Sequence, residues 1–567
     1  MPHDLVITGG TIVDGTGAAA FAGDVAIDDG RITEVGSLSS SAAHRTIDAA
    51  GATVMPGFVD IHTHYDGQAT WADLLVPSSW HGVTTVVMGN CGVGFAPVRV
   101  QDRERLIELM EGVEDIPGAA LHEGLRWDWE SFPDYLDALD RRPHDIDLAA
   151  QVPHAALRLY VMGERGAARE PATTAEILEM GRLAADAVAA GALGFTTSRT
   201  RNHRTSRGEP TPTLTAAAQE LIGIADALGA GVLEVVSDFA DVDDELCTVI
   251  GMAETSGRPL SISVTQVDQR PDGWRRLLAA ITEANERGLD VTAQVAARPV
   301  GLLLGLQTSV HPLGGSATAR SLSTLPLADQ VDALRRSEVR AAVLAEVASA
   351  KTVFPYEKLF PLNDPPDYEP AAETSVAAAA DRAGIRPAEY VYDHVLRNGG
   401  TAMLYVPFLN YSAGSLDAAR EMLVHPHSVL GLGDGGAHVG TICDASFPTT
   451  MLTHWVRDRR RGPLLDLSSV VANQTSRTAR TVGLLDRGVL APGMRADVNV
   501  VDLANLRLHL PTVAHDLPAG GRRFLQRADG YLHTVVAGVP TYANGEHTGA
   551  LPGRLVRGAR PAPSPSR

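Results

Sequence analysis

The feature that most constrains the fold is an alternation of short apolar segments with helical segments between residues 53 and 432. Segments with apolar residues at helical spacing, such as 174–190 and 273–287, separate most of the apolar ones. Repeated βα units build parallel sheets, so eight of them predict an α/β fold, a (β/α)8 TIM-like barrel. The eight apolar segments are 53–60, 84–88, 147–152, 192–197, 231–236, 260–264, 289–295 and 428–432.

Two intervals in this alternation are too long to be βα loops. We therefore expect insertions around 97–146 and 296–427. The first insertion contains Trp127 and Trp129, whose rings either line a substrate entrance or pack the insertion itself.

Both ends of the chain carry signals for short strands and turns. Asp28-Asp29-Gly30 separates two strand-like segments, which indicates a hairpin. We predict one small β-sandwich domain composed of residues 1–55 and 485–552, with the barrel spanning 56–484. Residues 553–567 are rich in Arg, Pro and Ser, and we expect them to be disordered.

Composition excludes several classes of protein. With 48 basic and 68 acidic residues the net charge is −20, which argues against binding to nucleic acid or anionic membranes. The sequence has neither a signal peptide pattern nor an apolar run of roughly 18 residues, so no membrane span is expected. Three cysteines are too few for a disulfide framework, which is typical of a reduced, cytoplasmic protein. A homo-oligomer is compatible with all of these features.

Metal-binding residue types follow three of the predicted strands. His62 and His64 end the first strand, where alternate side chains share a face. Cys91 follows the second strand between glycines, and Asp434 follows the eighth. Active sites of such barrels lie at the carboxyl ends of the strands, so these residues predict a metal site. An average cysteine is better explained as a small buried apolar residue, and Asp434 alone as part of a polar turn. The position of Cys91 between glycines, and the presence of His62 and His64 beside Asp434, favour the metal role for both.

The loop after the fourth strand is unusually basic for an acidic protein. It contains Arg199, Arg201, His203 and Arg204, which together could bind an anionic substrate, because arginine binds carboxylates through two parallel hydrogen bonds. The alternative is a solvated loop whose arginines pair with nearby acids. His438, four residues past Asp434, is a further candidate for substrate contact.

Several motifs resemble those of amidohydrolase-superfamily enzymes: residues 6–17, 56–66 and 491–497. Within that superfamily, residues 82–92, 154–158 and 191–198 resemble the N-acyl-D-amino-acid deacylase family. The resemblance implies a metal-dependent barrel, a β-sandwich and hydrolysis of a small N-acyl amide. It also implies that His62, His64 and Asp434 form one metal site and that Cys91 ligates a second, tightly held zinc. His154 and Arg158 match a family motif, and the resemblance implies a role for them in substrate binding.

The sequence departs from the family pattern at the second metal site. The family places histidines after the fifth and sixth strands, but residues 233–238 and 262–266 contain none. Neither Lys351 nor Lys358 follows the fourth strand, where other superfamily members use a carboxylated lysine. We therefore expect one divalent ion rather than two, held by His62, His64 and Asp434 with Cys91 close by, and a thiolate ligand would favour zinc.

The mechanism predicted from these residues is hydrolytic, with Asp434 as the general base toward a metal-activated water. Two alternatives remain at this stage. One is a hydrolase of cyclic amides or other C–N bonds. The other is a catalytically silent barrel that acts as a binding protein.

Overall fold

A computed structural model describes residues 2–38, 42–350 and 355–564, which form a mixed α/β fold. Its parallel strands lie within or overlap the eight predicted apolar segments. In order they are Phe58–Asp60, Val83–Met88, the pair Asp147–Ala150 and Val152–Pro153, Gly194–Arg199, Val232–Ser237, Leu260–Ser263, Val291–Val295 and Ser428–Leu430. The first, the second and Asp147–Ala150 form one parallel sheet; the remainder, from Val152–Pro153 to Ser428–Leu430, form another.

The segments that follow the first and the last parallel strands meet through their backbones. The Asp434 N–H donates to the carbonyl of His62 (2.9 Å), and the His64 N–H donates to the carbonyl of Gly435 (2.7 Å). These bonds bring residues 372 and 371 positions apart (434 − 62 and 435 − 64) into contact at the carboxyl ends of the strands.

Helices follow most of the parallel strands. Thr174–Ala190 has the predicted bounds because Thr173 and Glu176 form a capping box at its start and Gly191 ends it. The helices of the parallel region are Gln68–Trp71, His154–Met162, Glu164–Ala167, Thr174–Ala190, Ala218–Ala227, Val242–Ser256, Gly273–Glu286, Phe447–Thr450, Met451–Asp458 (a π-helix), Leu467–Asn473 and Ser476–Thr481. No helix in the described part of the chain is both long and apolar enough to cross a membrane.

The interval 97–146 folds into three helices, Arg103–Glu114, Gly118–Gly124 and Phe132–Asp140. Trp129 is buried and its indole N–H donates to the carbonyl of Phe95 (2.8 Å). Its neighbour Trp127 packs against it, with ring centroids 5.6 Å apart. The structure thus favours the packing interpretation of these aromatic residues.

The interval 296–427 has a core of its own. It contains a three-stranded antiparallel sheet of Gly301–Leu304, Met403–Pro407 and Phe360–Leu362. Its helices are Ala317–Leu322, Leu327–Leu334, Ser337–Ser349, Val376–Ala383, Pro387–Val395 and Asp417–Leu423. Burial alone would raise the pKa of its Glu369, but hydrogen bonds from His454 and Arg459 outweigh burial and lower that pKa to about 2.

The two chain ends share one nine-stranded sheet, and its composition corrects one sequence prediction. The expected single strand 53–60 is two strands, because Thr53–Pro56 pairs with Val498–Val501 in the terminal sheet and only Phe58–Asp60 enters the parallel sheet. Gly57 separates them, and a Cβ there would lie 2.2 Å from Oγ1 of Thr84. The nine strands are His3–Ile12, Phe21–Asp28, Arg31–Gly36, Ala43–Asp48, Thr53–Pro56, Val498–Val501, Tyr531–Val536, Val539–Ala543 and Glu546–His547. Two-stranded ladders join Arg507–Leu508 to Ala528–Asp529 and Thr512–Leu517 to Gly521–Leu525.

The segment before the terminal strand Val498–Val501 contacts the parallel sheet through two arginines, the buried Arg487 and the half-buried Arg495. Arg487 donates to Oδ2 of Asp147 (2.8 Å), and Arg495 donates to Oδ1 of the same carboxylate (2.9 Å). Asp147 opens the third parallel strand and is 1% exposed.

The expected disorder of the tail is wrong for residues 553–564. Leu555 and Val556 are buried, and the Val556 N–H donates to the carbonyl of Leu148 (2.7 Å). These two apolar residues are buried beside the third parallel strand, a contact that composition alone does not predict. Residues 565–567 lie outside the described part.

Candidate metal centre

The structure brings His62, His64 and Cys91 together. One ligand atom from each lies within 4.8 Å of the others, and all three side chains are buried. His62 Nε2 is 3.2 Å from Cys91 Sγ. Thr63, between the histidines, turns away and donates to the carbonyl of Val87 (2.8 Å). Two imidazoles and a thiol are a donor set that suits zinc, which takes nitrogen and sulfur ligands in tetrahedral geometry.

A tight turn after the second parallel strand positions Cys91 beside the two histidines. Gly89 and Gly92 have φ of 82° and 64°, and Cys91 itself has φ of 55°. A Cβ at Gly92 would lie 2.9 Å from the Cα of Thr197, so only glycine allows the turn to approach the fourth strand this closely. Asn90 donates to the carbonyls of Thr63 (3.2 Å) and Val87 (2.9 Å), which fixes the turn against the His62–His64 segment.

Asp434 lies beside both histidines. Its Oδ1 is 3.5 Å from His62 Nε2 and 3.8 Å from His64 Nε2. Burial, reinforced by the negative charges of Asp444 and Asp60, raises the pKa of its carboxyl well above the usual range. Its side chain is 13% exposed, whereas those of the two histidines are 1% exposed. Of these three side chains, Asp434 is therefore the one that a water or substrate can reach most easily.

Three polar residues at the centre were not among the predicted site residues. Glu234, on the fifth parallel strand, accepts a hydrogen bond from the Cys91 N–H (3.2 Å). Gln294, on the seventh strand, has its Oε1 2.8 Å from His62 Nδ1. Glu114 ends the helix Arg103–Glu114 and has its Oε1 3.2 Å from His64 Nδ1. Glu234 and Gln294 had a sequence signal, because each interrupts a β-branched apolar run, whereas Glu114 had none.

Burial without a counter-charge sets the protonation of the centre. It lowers the pKa of His62 to about 4 and that of His64 well below its usual value, so both imidazoles are neutral at pH 7. It raises the pKa of Glu234 to about 8, and burial with the nearby carboxylates raises the pKa of the Cys91 thiol well above its usual range. Neutral imidazoles can act as ligands, and a divalent cation would favour the anionic forms of the thiol and carboxyls. The donor set therefore fits a divalent metal ion.

Two of the histidines predicted to contact substrate lie near this centre. His438 Nε2 is 4.0 Å from Asp434 Oδ2, and its side chain is 22% exposed. His203 has its Nδ1 2.9 Å from the hydroxyl of Ser198. Burial, together with the charges of His438 and His62, lowers the pKa of His203 to about 3.

The basic loop only partly fits the predicted anion receptor. Arg199 is engaged by the carboxylate of Glu245 through Nε and Nη2, so it is not free for substrate. Arg204 donates to the carbonyl of Gly208 (2.9 Å) and is exposed. Arg201 is also exposed, and its side chain makes no hydrogen bond or ion pair within the described residues. Arg199 thus pairs with a nearby acid, as the alternative to the anion receptor predicted. Arg201 and Arg204 are exposed and accessible to a ligand from solvent.

His154 and Arg158, predicted to bind substrate, instead form a buried cluster with Glu220. His154 Nε2 is 2.9 Å from Glu220 Oε1, and its Nδ1 is 2.8 Å from Oγ1 of Thr197. Arg158 donates from Nε to Glu220 (2.7 Å), and its other two nitrogens donate to backbone carbonyls. Every polar atom of the two side chains has an internal partner, which contradicts a role in direct substrate binding.

Only one of the two lysines, Lys358, lies in the described part of the chain. Lys358 forms an ion pair with Asp268 on the surface. Lys351 lies outside the described residues.

Comparisons with known proteins place these observations in context. A family model described as Amidohydrolase family matches residues 45–542. A D-aminoacylase of Alcaligenes xylosoxydans xylosoxydans is 28% identical over 571 residues, which cover 98% of each chain. An N-acyl-D-aspartate deacylase of the same organism is 27% identical and covers 98% of this chain and 95% of its own.

Solved structures resemble this fold over almost all of its length. A D-aminoacylase structure that addresses a binuclear metal centre has a TM-score of 0.65 and 26% identity, and the match covers 98% of this chain and 100% of that one. An N-acyl-D-glutamate deacylase from Bordetella bronchiseptica, complexed with zinc and a phosphonate inhibitor, has a TM-score of 0.62 and 25% identity, with the same coverage.

Proposed function

This chain belongs to the amidohydrolase family, and from that premise we propose that it cleaves the amide bond of an N-acyl-D-amino acid. It is a metal-dependent hydrolase of carbon–nitrogen bonds. The observation that carries the proposal is the group of His62, His64 and Cys91, with Asp434 Oδ1 within 3.8 Å of both imidazoles. Relatives that match nearly the whole chain are deacylases of N-acyl-D-amino acids, which supports this substrate class.

We propose that the parallel strands close into a (β/α)8 barrel spanning 56–484. The order of strands within the two parallel sheets and the backbone bonds between His62, Asp434 and Gly435 support closure. Residues 1–55 and 485–552 would then form the accessory β domain, which the shared terminal sheet supports. The active site lies at the carboxyl ends of the strands, as in other barrels of this type.

The metal is proposed to be one zinc ion held by His62, His64 and Cys91. When bound, it would supply Lewis acidity to the substrate carbonyl and lower the pKa of a water. Asp434 is the general base, because its carboxylate faces both imidazoles and is partly exposed. It takes a proton from the attacking water and returns it to the leaving nitrogen, which departs as a free amine.

His203 and His438 flank the centre and are proposed to contact the substrate. Both are neutral at pH 7, since burial lowers their pKa values to about 3 and about 4. A neutral imidazole with a free N–H can donate to the oxyanion that forms on the amide carbon. Arg201 and Arg204 are proposed to attract the carboxylate of an anionic substrate toward the site.

A substrate panel tests the proposal. The zinc-loaded full-length protein should release free amino acid from N-acetyl-D-amino acids, with D-aspartate, D-glutamate, D-leucine and D-methionine derivatives tested beside their L forms. Cyclic amides such as hydantoins complete the panel, and the His62→Ala variant serves as the inactive control. Hydrolysis of the cyclic amides alone would replace the deacylase proposal with a cyclic amidohydrolase.

Metal analysis tests the number of ions. We expect about one equivalent of tightly held zinc per chain, because the segments after the fifth and sixth strands offer no histidine. Two tightly held equivalents after dialysis would refute the single-ion site.

A further inference from the structure

The imidazole of His62 is held by a chain of hydrogen bonds that fixes its tautomer. The hydroxyl of Ser261 lies 3.4 Å from the carbonyl of Leu233 and donates to it, so its oxygen is left to accept from Nε2 of Gln294 (2.9 Å). That contact orients the amide, and the carbonyl oxygen of Gln294 then faces His62 Nδ1 at 2.8 Å. An amide oxygen only accepts, so Nδ1 carries the proton. The lone pair of His62 is therefore on Nε2, which faces Cys91 Sγ at 3.2 Å.

The imidazole of His64 has a carboxylate at the equivalent position. Oε1 of Glu114 lies 3.2 Å from His64 Nδ1, although the two groups are not aligned as a hydrogen bond. Neither atom has another hydrogen-bond partner among the described residues, and Glu114 is fully buried. A small rotation of either side chain would align the Nδ1–H with the carboxylate and satisfy two buried polar atoms. The lone pair on Nε2 would then face Asp434 Oδ1, which lies 3.8 Å away.

Glu114 reaches the centre from outside the parallel sheet, and its backbone is firmly held. It is the last residue of the helix Arg103–Glu114, and its carbonyl accepts a hydrogen bond from the Val439 N–H (3.2 Å). The next residue, Asp115, has φ of 52° and accepts from the hydroxyl of Ser309 (3.0 Å). The carboxylate of Glu114 is thus fixed between the segment after the first strand and the segment after the eighth.

We propose that Glu114 and Gln294 are positioning residues, which hold His64 and His62 with their Nε2 atoms turned toward Cys91 and Asp434. A metal ion requires a lone pair on the nitrogen that it contacts, and a hydrogen bond at the opposite nitrogen fixes both the tautomer and the ring orientation. The insertion 97–146 thereby supplies one of the two groups on which the ligand geometry depends. This inference rests on the metal site of the proposed function.

Zinc affinity of the full-length protein, measured without reference to turnover, tests the inference. The metal-free protein is titrated with zinc against a chromophoric chelator of known affinity. Glu114→Leu and Gln294→Leu remove the acceptor without opening a large cavity, and each should weaken zinc binding by about 10–100-fold. Glu114→Gln and Gln294→Glu keep an oxygen that can accept from Nδ1–H, and both should bind zinc nearly as tightly as the original chain.

A matched control comes from the same helix. Glu104 is exposed and its Oε2 lies 3.5 Å from Nε2 of the exposed His122, so Glu104→Leu should leave zinc affinity unchanged. The thermal unfolding of each metal-free variant identifies any that has lost its fold. If a leucine variant has unfolded, the zinc affinities of Glu114→Gln and Gln294→Glu test the positioning roles instead.

The outcomes separate this inference from the proposed function. If the original chain binds no zinc, the metal site of the proposed function is wrong. If the original chain binds zinc and both leucine variants bind it equally well, only the positioning roles are refuted. If Glu114→Gln loses zinc as severely as Glu114→Leu, Glu114 is a direct ligand and the positioning role is again refuted.

Discussion

Replacing Asp434 with asparagine should abolish turnover while leaving the fold and the metal site in place. Asp434 has φ of 48°, a left-handed conformation that asparagine adopts as readily as aspartate. Its N–H donates to the carbonyl of His62, and that backbone bond does not depend on the side chain. The substitution therefore removes a charge and a proton acceptor but hardly any volume.

The expected loss follows from the position of the carboxylate. Its Oδ1 lies 3.5 Å and 3.8 Å from the two Nε2 atoms, so it adjoins the place where the attacking water must stand. General base catalysis contributes about 10²–10⁴-fold to rate. We expect kcat of the Asp434→Asn variant to fall about 10³-fold, which corresponds to about 4 kcal/mol of transition-state stabilisation. KM should change little, because the interaction that is lost is made in the transition state.

The assay is release of free amino acid from the best N-acyl substrate, with bound zinc measured on the same preparations. Asp381→Asn is a matched control, since Asp381 is exposed on the distant helix Val376–Ala383. Turnover above about a tenth of the original, well outside the range for a lost general base, would refute the role of Asp434 as base. Loss of zinc together with turnover would instead make Asp434 a metal ligand.

The remaining predictions concern the metal, stability and substrate charge. His62→Ala should lose tightly bound zinc, and a zinc content equal to that of the original chain would contradict its role as a ligand. Asp147→Asn removes the carboxylate that the buried Arg487 shares with the half-buried Arg495, so the free energy of unfolding should fall by about 3–5 kcal/mol in urea denaturation. An unchanged midpoint of the urea transition would contradict this prediction. Because the pKa of Glu369 is lowered from 4.5 to about 2, its contribution to stability is complete above about pH 4.5 and is lost as the pH falls toward 2. In the Glu369→Gln variant, the free energy of unfolding should therefore depend less on pH between about 4.5 and 2. An acid unfolding profile equal to that of the original chain would contradict this role of Glu369. Arg201→Ala should raise KM for N-acyl-D-aspartate more than for N-acyl-D-leucine, and equal changes would exclude charge recognition by this arginine.

Local sequence signals determined the helices and strands well, because each signal describes a short-range preference. The helix Thr174–Ala190 matches its prediction since its capping box and terminal glycine are encoded within the segment itself. The predicted strand 53–60 failed for a long-range reason. Its first half pairs with Val498–Val501, more than 400 residues away, and apolar periodicity contains no information about which sheet a strand joins.

The same distinction applies to the site. His62, His64, Cys91 and Asp434 could be found because each immediately follows an apolar strand, where a polar side chain among glycines is unusual. Glu114 could not be found, because it ends an ordinary amphipathic helix in an insertion and becomes special only when that helix packs against His64.

The roles suggested for His154 and Arg158 show the opposite error. Resemblance to a family motif identified residues that matter, but the structure assigns their polar atoms to Glu220, Thr197 and backbone carbonyls. A motif indicates only that certain residues occur together in a family. It does not show whether they contact the substrate or stabilise the loops around the active site.

The charges at the centre are a further reason why a bound cation suits it. Glu114 and Glu234 are buried and the side chain of Asp434 is 13% exposed, and within the described residues no arginine or lysine pairs with any of them. Burial also keeps both histidines neutral, so the protein supplies no positive charge to these carboxyls or to the thiol of Cys91. Burial therefore raises the pKa values of the three carboxyls and of the thiol, which favours their neutral, protonated forms when no cation is bound. A divalent ion would favour the anionic forms of these groups instead, so acidic side chains without a basic partner support metal binding independently of the two histidines.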